Sequence, residues 1–171
     1  MSFPTAHGLI FEPAELADEA RVKRVRPPAD AAFFVHYNSF WLNRALRDPA
    51  VRFMLVRTPR QALVAVVAYG PHVQIDQDPS SRIDDIGEIY HLVVDRRRAR
   101  QGLGRRIAQA LLDRLPDELP GIKAVRVGHH PANARAQRLW ESLGFVCIGQ
   151  KADHETGTAD VLLERRLQAR V

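Results

Sequence analysis

The stretch VVDRRRARQGLGRRIAQALL, residues 93–112, holds most of the groups in this chain that could do chemistry. Six arginines fall between Asp95 and Arg106, and Gly102 and Gly104 interrupt them. Such a segment can be a basic patch for a nucleic acid or a loop that cradles a smaller phosphate compound. EIYHLVV, residues 88–94, reads as a strand leading into it, and Ile107, Ala110, Leu111 and Leu115 recur behind it at helical spacing, ending near Pro116. A strand, a short glycine loop and a helix bring backbone N–H groups and the positive end of a helix dipole to one point, which suits phosphate. The arginines lie around that turn without interleaved aromatics to stack bases, so a cradle is expected and a specific nucleic-acid partner is not. A GxGxxG fingerprint would need glycine or alanine where Ile107 stands, and a Walker loop would need GK[ST]; neither is present.

The elements that must position this loop are legible in outline. Residues 8–11 read as a short strand, and residues 13–25 as a helix opened by Pro13. Pro27 and Pro28 break the chain. A second helical segment over residues 29–46 carries Phe33, Phe34, Tyr37, Phe40 and Trp41, which either pack in the core or form one wall of a substrate pocket. VRFMLVR and ALVAVVAYG flank a turn and read as a hairpin, and QIDQDPSSRIDDIG follows as a polar loop. IKAVRVG is a further strand, PANARAQRLWESLG a helix closed by Gly144, and FVCIGQ and ADVLLERRL the last strands. This order predicts one domain over residues 1–171, a mixed sheet with helices packed on its faces.

Composition narrows the rest. No apolar run reaches the roughly 20 residues of a membrane helix, and the N-terminus lacks a secretory pattern, so a cytoplasmic protein off the membrane is expected. Cys147 is the single cysteine, and the seven histidines show no ligand spacing, so no metal is expected. A net charge of +5 favours an anionic partner without choosing one.

Ala99-Arg100-Gln101-Gly102-Leu103-Gly104 resembles the acetyl-CoA loop of the GCN5-related N-acetyltransferase (GNAT) family, Q/R-x-x-G-x-G/A, with Ala99 in place of the usual first residue. Asn133, Ala136, Leu139, Trp140, Glu141, Gly144 and Phe145 are similar to that family's N-x-x-A-x-x-L-Y-E-x-x-G-F helix, and Glu88, Ile89, Leu92 and Val94 to its E-I-x-x-L-x-V strand. Taken singly, the glycines could be a tight turn, Asn133 a helix N-cap, and Ala136, Leu139 and Leu143 a core stripe. The resemblance implies a GNAT fold, a mixed and mostly antiparallel central sheet flanked by helices on both faces.

It also implies an activity, acetyl transfer from acetyl-CoA to a primary amine without a covalent enzyme intermediate. Arg100, Gln101, Gly102, Leu103, Gly104 and Arg105 would hold the pyrophosphate, and the backbone of Leu92, Val93 and Val94, with Asn133, the pantetheine arm. Glu88 would take the proton of the amine directly or through water, with Tyr90, two residues on and on the same face, sharing the work. Trp140, expected as a packed wall of the cofactor site, stands where many members have a tyrosine that protonates the leaving thiolate, and an indole N–H cannot do so near neutral pH. The acceptor expected is a small-molecule or peptide amine, and Asp76, Asp78, Asp84 and Asp85 before Glu88 favour a small cation. A non-catalytic acetyl-CoA-binding sensor is the alternative, and monomer and homodimer both stay open.

Overall fold

A computed structural model describes residues 3–5, 7–74, 78–152 and 158–168. Among the described residues there are eight strands, β1 (Phe3–Pro4), β2 (Ile10–Pro13), β3 (Arg52–Arg57), β4 (Leu63–Val73), β5 (Arg82–Val94), β6 (Ala124–His129), β7 (Val146–Ala152) and β8 (Ala159–Arg166). The α-helices are α1 (Glu19–Arg24), α2 (Asn38–Arg47), α3 (Leu103–Glu118) and α4 (Ala134–Ser142). The sheet runs in the order β1-β2-β3-β4-β5-β6-β8-β7. Only β5 and β6 pair in parallel among the described registers, and α3 supplies the crossover that a parallel pair needs. The expected α/β mixed sheet is thus observed, with an additional short strand, β1.

The chain divides into two compact units, residues 1–69 with 90–113, and residues 70–89 with 114–171. In the first unit the hairpin β3–β4 forms as its branched apolar runs predict, with Phe53 opposite Ala68 and Leu55 opposite Val66. Residues 64–70 of β4 are all buried, the continuous apolar run of a strand covered on both faces. Val22 of α1 and Trp41 and Leu42 of α2 pack with Phe53, Leu55, Val66, Ala68 and Val93. Asn38, Trp41, Leu42 and Ala45 place one stripe of α2 inward at spacings of three and four. In the second unit β6 lies between β5 and β8, and β7 closes the sheet as an edge strand.

Several elements differ from the sequence expectation, each for a local reason. Pro13 does not open a helix; it is the last residue of β2, opposite Met54, and a 3₁₀ turn over Leu16–Asp18 precedes α1. Residues 29–37 are not helical beyond the turn Ala32–Phe34, and Phe33 and Tyr37 are 82% and 86% exposed, so those two rings are not core. β5 begins at Arg82, so Asp84 and Asp85 lie in a strand, where Lys123 N–H bonds the Asp85 carbonyl at 2.7 Å. Helix α3 runs through Pro116 to Glu118, because a proline in the last turn removes only one ladder bond and Leu119 N–H still reaches the Leu115 carbonyl at 2.8 Å.

Candidate active site

The loop after β5 is anchored before it turns. Asp95, 1% exposed, accepts from the backbone N–H of Arg97 at 2.9 Å and from its guanidinium at 2.9 and 3.0 Å. The guanidinium bonds of Arg97 hold the Asp95 carboxyl below the usual carboxylate range. Asp95 N–H bonds the Val64 carbonyl at 2.9 Å, and Arg96 N–H the Arg26 carbonyl at 2.7 Å, so the start of the loop is tied to β4 and to the segment after α1. Arg97 therefore spends its charge on the fold. Arg106 does likewise, its Nη2 donating to the His7 carbonyl at 2.6 Å. Two of the six arginines thus serve local structure, which weakens the reading as a nucleic-acid patch.

The turn itself carries a feature that sequence reasoning missed. Arg100 has φ +62° and Gly102 φ +71°, with Gln101 between them at negative φ. Left-handed residues in such a turn bring successive N–H groups toward one side, the arrangement of an anion-binding nest. Left-handed backbone is uncommon for a non-glycine residue, and its strain is typically retained at ligand sites. Directly behind it α3 starts, and its first intrahelical bond is Arg106 N–H to the Gly102 carbonyl at 3.2 Å. The N–H groups of Leu103, Gly104 and Arg105 precede that bond and point out of the helix start with the positive end of its dipole. A Cβ built at Gly102 meets nothing within 4 Å, so the space over the turn is open, and a side chain there would fill it. The residues present therefore fit a pyrophosphate. Beside the loop, a recess of about 480 Å³ is lined by Arg21, Arg24, Arg57, Arg97, Arg98 and Asp95, which extends the positive field.

Glu88 is not the solvated strand-end carboxylate that its type would suggest. It is 4% exposed, and its Oε2 lies 2.7 Å from Nδ1 of His72, itself 2% exposed. Its Oε1 is 3.5 Å from Lys151 Nζ. Register places Glu88 beside Arg126, which pairs with Glu164 at 2.9 Å. Neither His72 nor Lys151 stands out in the sequence, since they lie 16 and 63 residues from Glu88. Tyr90 follows two positions on in β5 and stacks on Trp41 at 5.0 Å with rings 7° apart. Trp41 Nε1 is a buried donor without a hydrogen-bond partner. The parallel register of β5 with β6 runs from Ile86 to Ile89, and β5 continues through Leu92, Val93 and Val94.

The later helix is built as its motif predicts. Asn133 caps α4, its Oδ1 accepting from Ala136 N–H at 3.1 Å. Gly144, at φ +83°, closes it while Phe145 N–H returns to the Trp140 carbonyl at 3.1 Å. Trp140 is 6% exposed and meets Phe145 edge-on at 5.3 Å, so its ring packs within the second unit. Asp78 is occupied by the hydroxyl and N–H of Ser80, and Asp85 by Lys123 at 3.1 Å, which leaves Asp84 as the exposed acid of that stretch without such a partner. Asp76 lies outside the described residues. Among the described residues no group of three His, Cys, Asp or Glu could hold a metal ion, and no helix is long and apolar enough to cross a membrane.

A mixed sheet whose parallel crossover begins with an anion nest defines the class. Residues 15–145 match the model of the acetyltransferase (GNAT) family. The chain belongs to that family, an N-acetyltransferase that uses acetyl-CoA. No curated protein sequence matches it significantly. Its fold is similar to that of AAC(6')-Ib in complex with paromomycin and acetyl-CoA, with TM-score 0.75 and 16% identity over 95% of each chain. It is also similar to the ribosomal-protein-S18-alanine N-acetyltransferase from Escherichia coli, with TM-score 0.67 and 18% identity over 95% of this chain and 96% of that one. Ard1 from Thermoplasma volcanium gives TM-score 0.69 and 17% identity, over 94% of this chain and 99% of that one. The non-catalytic alternative finds no support in these similarities.

Proposed function

We propose that this chain transfers the acetyl group of acetyl-CoA directly to a primary amine, and that the amine is a small cation. The observation that carries the reading is the strand β5, which holds a buried, hydrogen-bonded carboxylate at Glu88 and leads into the left-handed turn at Arg100 and Gly102. The nest and the N–H groups of Leu103, Gly104 and Arg105 bind the pyrophosphate, and the backbone of Leu92–Val94 takes the pantetheine arm. An ammonium has no lone pair, so its proton must leave before attack on the thioester carbon. That removal is assigned to Glu88 and the side chains bonded to it. A strand N–H beside the thioester stabilises the oxyanion, and the tetrahedral intermediate collapses by expelling the thiolate. With a pKa near that of cysteine, about 8.5, the thiolate leaves without an obligatory acid, and Tyr90 or water supplies its proton.

One feature supports a cationic acceptor: Asp84 is exposed on β5, four residues before Glu88 and on the same face of the strand. Turnover with acetyl-CoA should favour spermidine, short diamines and aminoglycosides over neutral or acidic amines by about tenfold or more in kcat/KM. Asp84→Asn should raise the diamine KM severalfold and leave neutral amines unchanged. Preference for an acidic acceptor, or a diamine KM indifferent to Asp84→Asn, contradicts the assignment of the acceptor.

A further inference from the structure

We infer that the base for the acceptor amine is Nε2 of His72, and that Glu88 is the positioning residue that makes it one. The inference rests on the acetyltransferase reading above. His72, on β4, and Glu88, on β5, are both almost wholly buried and share a 2.7 Å contact. A buried carboxylate is costly to keep ionised without a compensating charge, and Lys151 Nζ at 3.5 Å from Oε1 supplies one. The charged groups on the same side of the sheet include Asp84 on β5, Arg126 on β6 and Glu164 on β8, the last two paired with each other, Arg166 on β8, and Asp160 opposite Lys151.

An ionised carboxylate only accepts hydrogen bonds, so Nδ1 of His72 must be the donor. That fixes the tautomer and leaves the lone pair on Nε2, for which the described residues provide no partner. Glu88 thereby becomes the poorer base of the two, because both its oxygens already face donors, whereas Nε2 keeps a lone pair for the proton.

The steps balance as follows. Nε2 takes one proton from the ammonium, directly or through one water, giving an imidazolium stabilised by Glu88 and a neutral amine. The amine nitrogen forms the C–N bond to the thioester carbon, the C–S bond breaks, and the second nitrogen proton ends on the thiolate. The imidazolium then releases its proton to solvent.

The test uses the full-length protein, acetyl-CoA and the best amine found. Wild-type kcat/KM should fall on the acid side, in a limb that does not move when the acceptor is exchanged for an amine of different basicity. His72→Gln should lose that limb and about 10²- to 10³-fold in kcat/KM, with acetyl-CoA affinity by calorimetry unchanged. Glu88→Gln should lower kcat and lose the preference of His72 for the Nδ1–H tautomer in its nitrogen spectrum, which loss of a merely structural contact would not do. Nitrogen NMR of the wild type should show His72 protonated at Nδ1 and bare at Nε2. A His72→Gln enzyme with the wild-type rate and profile overturns the inference, as does an Nε2–H tautomer. Wild type that binds acetyl-CoA but acetylates no amine sinks the acetyltransferase reading instead, and the NMR experiment then still decides the tautomer, as it does if His72→Gln fails to fold.

Discussion

Gly102→Val should weaken acetyl-CoA binding by about 100-fold, roughly 2.7 kcal/mol, while the protein stays folded. Gly102 sits at φ +71°, a conformation that costs an L-residue about 1–2 kcal/mol, and more when it is β-branched. An added Cβ meets nothing within 4 Å, so that strain is the main cost to the free protein. The cost to the complex is larger. The valine side chain occupies the open space over the nest, and the turn relaxes toward negative φ, which disperses the N–H groups that converge there. Arg100→Gly is the control, since glycine accepts φ +62° without strain. It should leave stability equal or higher and reduce affinity only by the loss of one exposed charge. Calorimetric titration and thermal unfolding of both variants check this, and unchanged affinity in Gly102→Val would remove the turn from the site.

Asn38→Ala should cost about 2–4 kcal/mol of stability. The buried amide donates to the carbonyls of Val22 at 3.0 Å and Val25 at 2.7 Å, tying the start of α2 to the end of α1. Its oxygen accepts from Nε2–H of His91 at 2.8 Å. Alanine leaves the Val25 carbonyl and an imidazole N–H without those partners inside the first unit, while the Val22 carbonyl keeps the Val25 N–H at 3.2 Å. The same cluster gives the fold an acid limit. Burial, with a lesser contribution from His36, pushes His91 down to about 3. Because this folded value lies below the unfolded one near 6.5, the unfolded chain takes up its proton first as pH falls. The stability contributed by neutral His91 is therefore complete above about pH 6.5 and is lost progressively between there and about 3. Denaturant unfolding at pH 7, 5 and 4 should show that decline, and His91→Leu should flatten it. A wild-type stability independent of pH over this range contradicts the account of the cluster.

The loop could be read in the sequence because its signals are local. Gly102 and Gly104 lie at the junction of a strand and a helix, Asn133 three residues before the N–H it caps, and Gly144 where α4 needs a left-handed closure. The hairpin β3–β4 was equally legible, since its two runs are continuous and apolar. What sequence reasoning missed depends on residues distant along the chain. His72 reads as a polar interruption after an apolar run, and Lys151 as a surface lysine, until the fold brings both to Glu88. Asp84 and Asp85 mark a loop by composition, yet backbone pairing to the segment before β6 draws them into β5. Arg100 gave no warning of its left-handed backbone because only glycine and asparagine signal that conformation by type. The aromatic stretch divided in a way that type alone could not foresee. Trp41 lies on the buried stripe of α2, whereas Phe33 and Tyr37 precede the helix and face solvent.

The central claim is acetylation of an amine by acetyl-CoA held at the turn after β5. It is tested most directly by incubating the protein with acetyl-CoA and a short diamine, following free thiol continuously and the amine by mass spectrometry. The account predicts thiol release that requires both the amine and the protein, stoichiometric with acetylated diamine, and strongly reduced in Gly102→Val at acetyl-CoA concentrations that saturate the wild type. Thiol release independent of the amine, or none with any primary amine from a protein that binds acetyl-CoA, would contradict it.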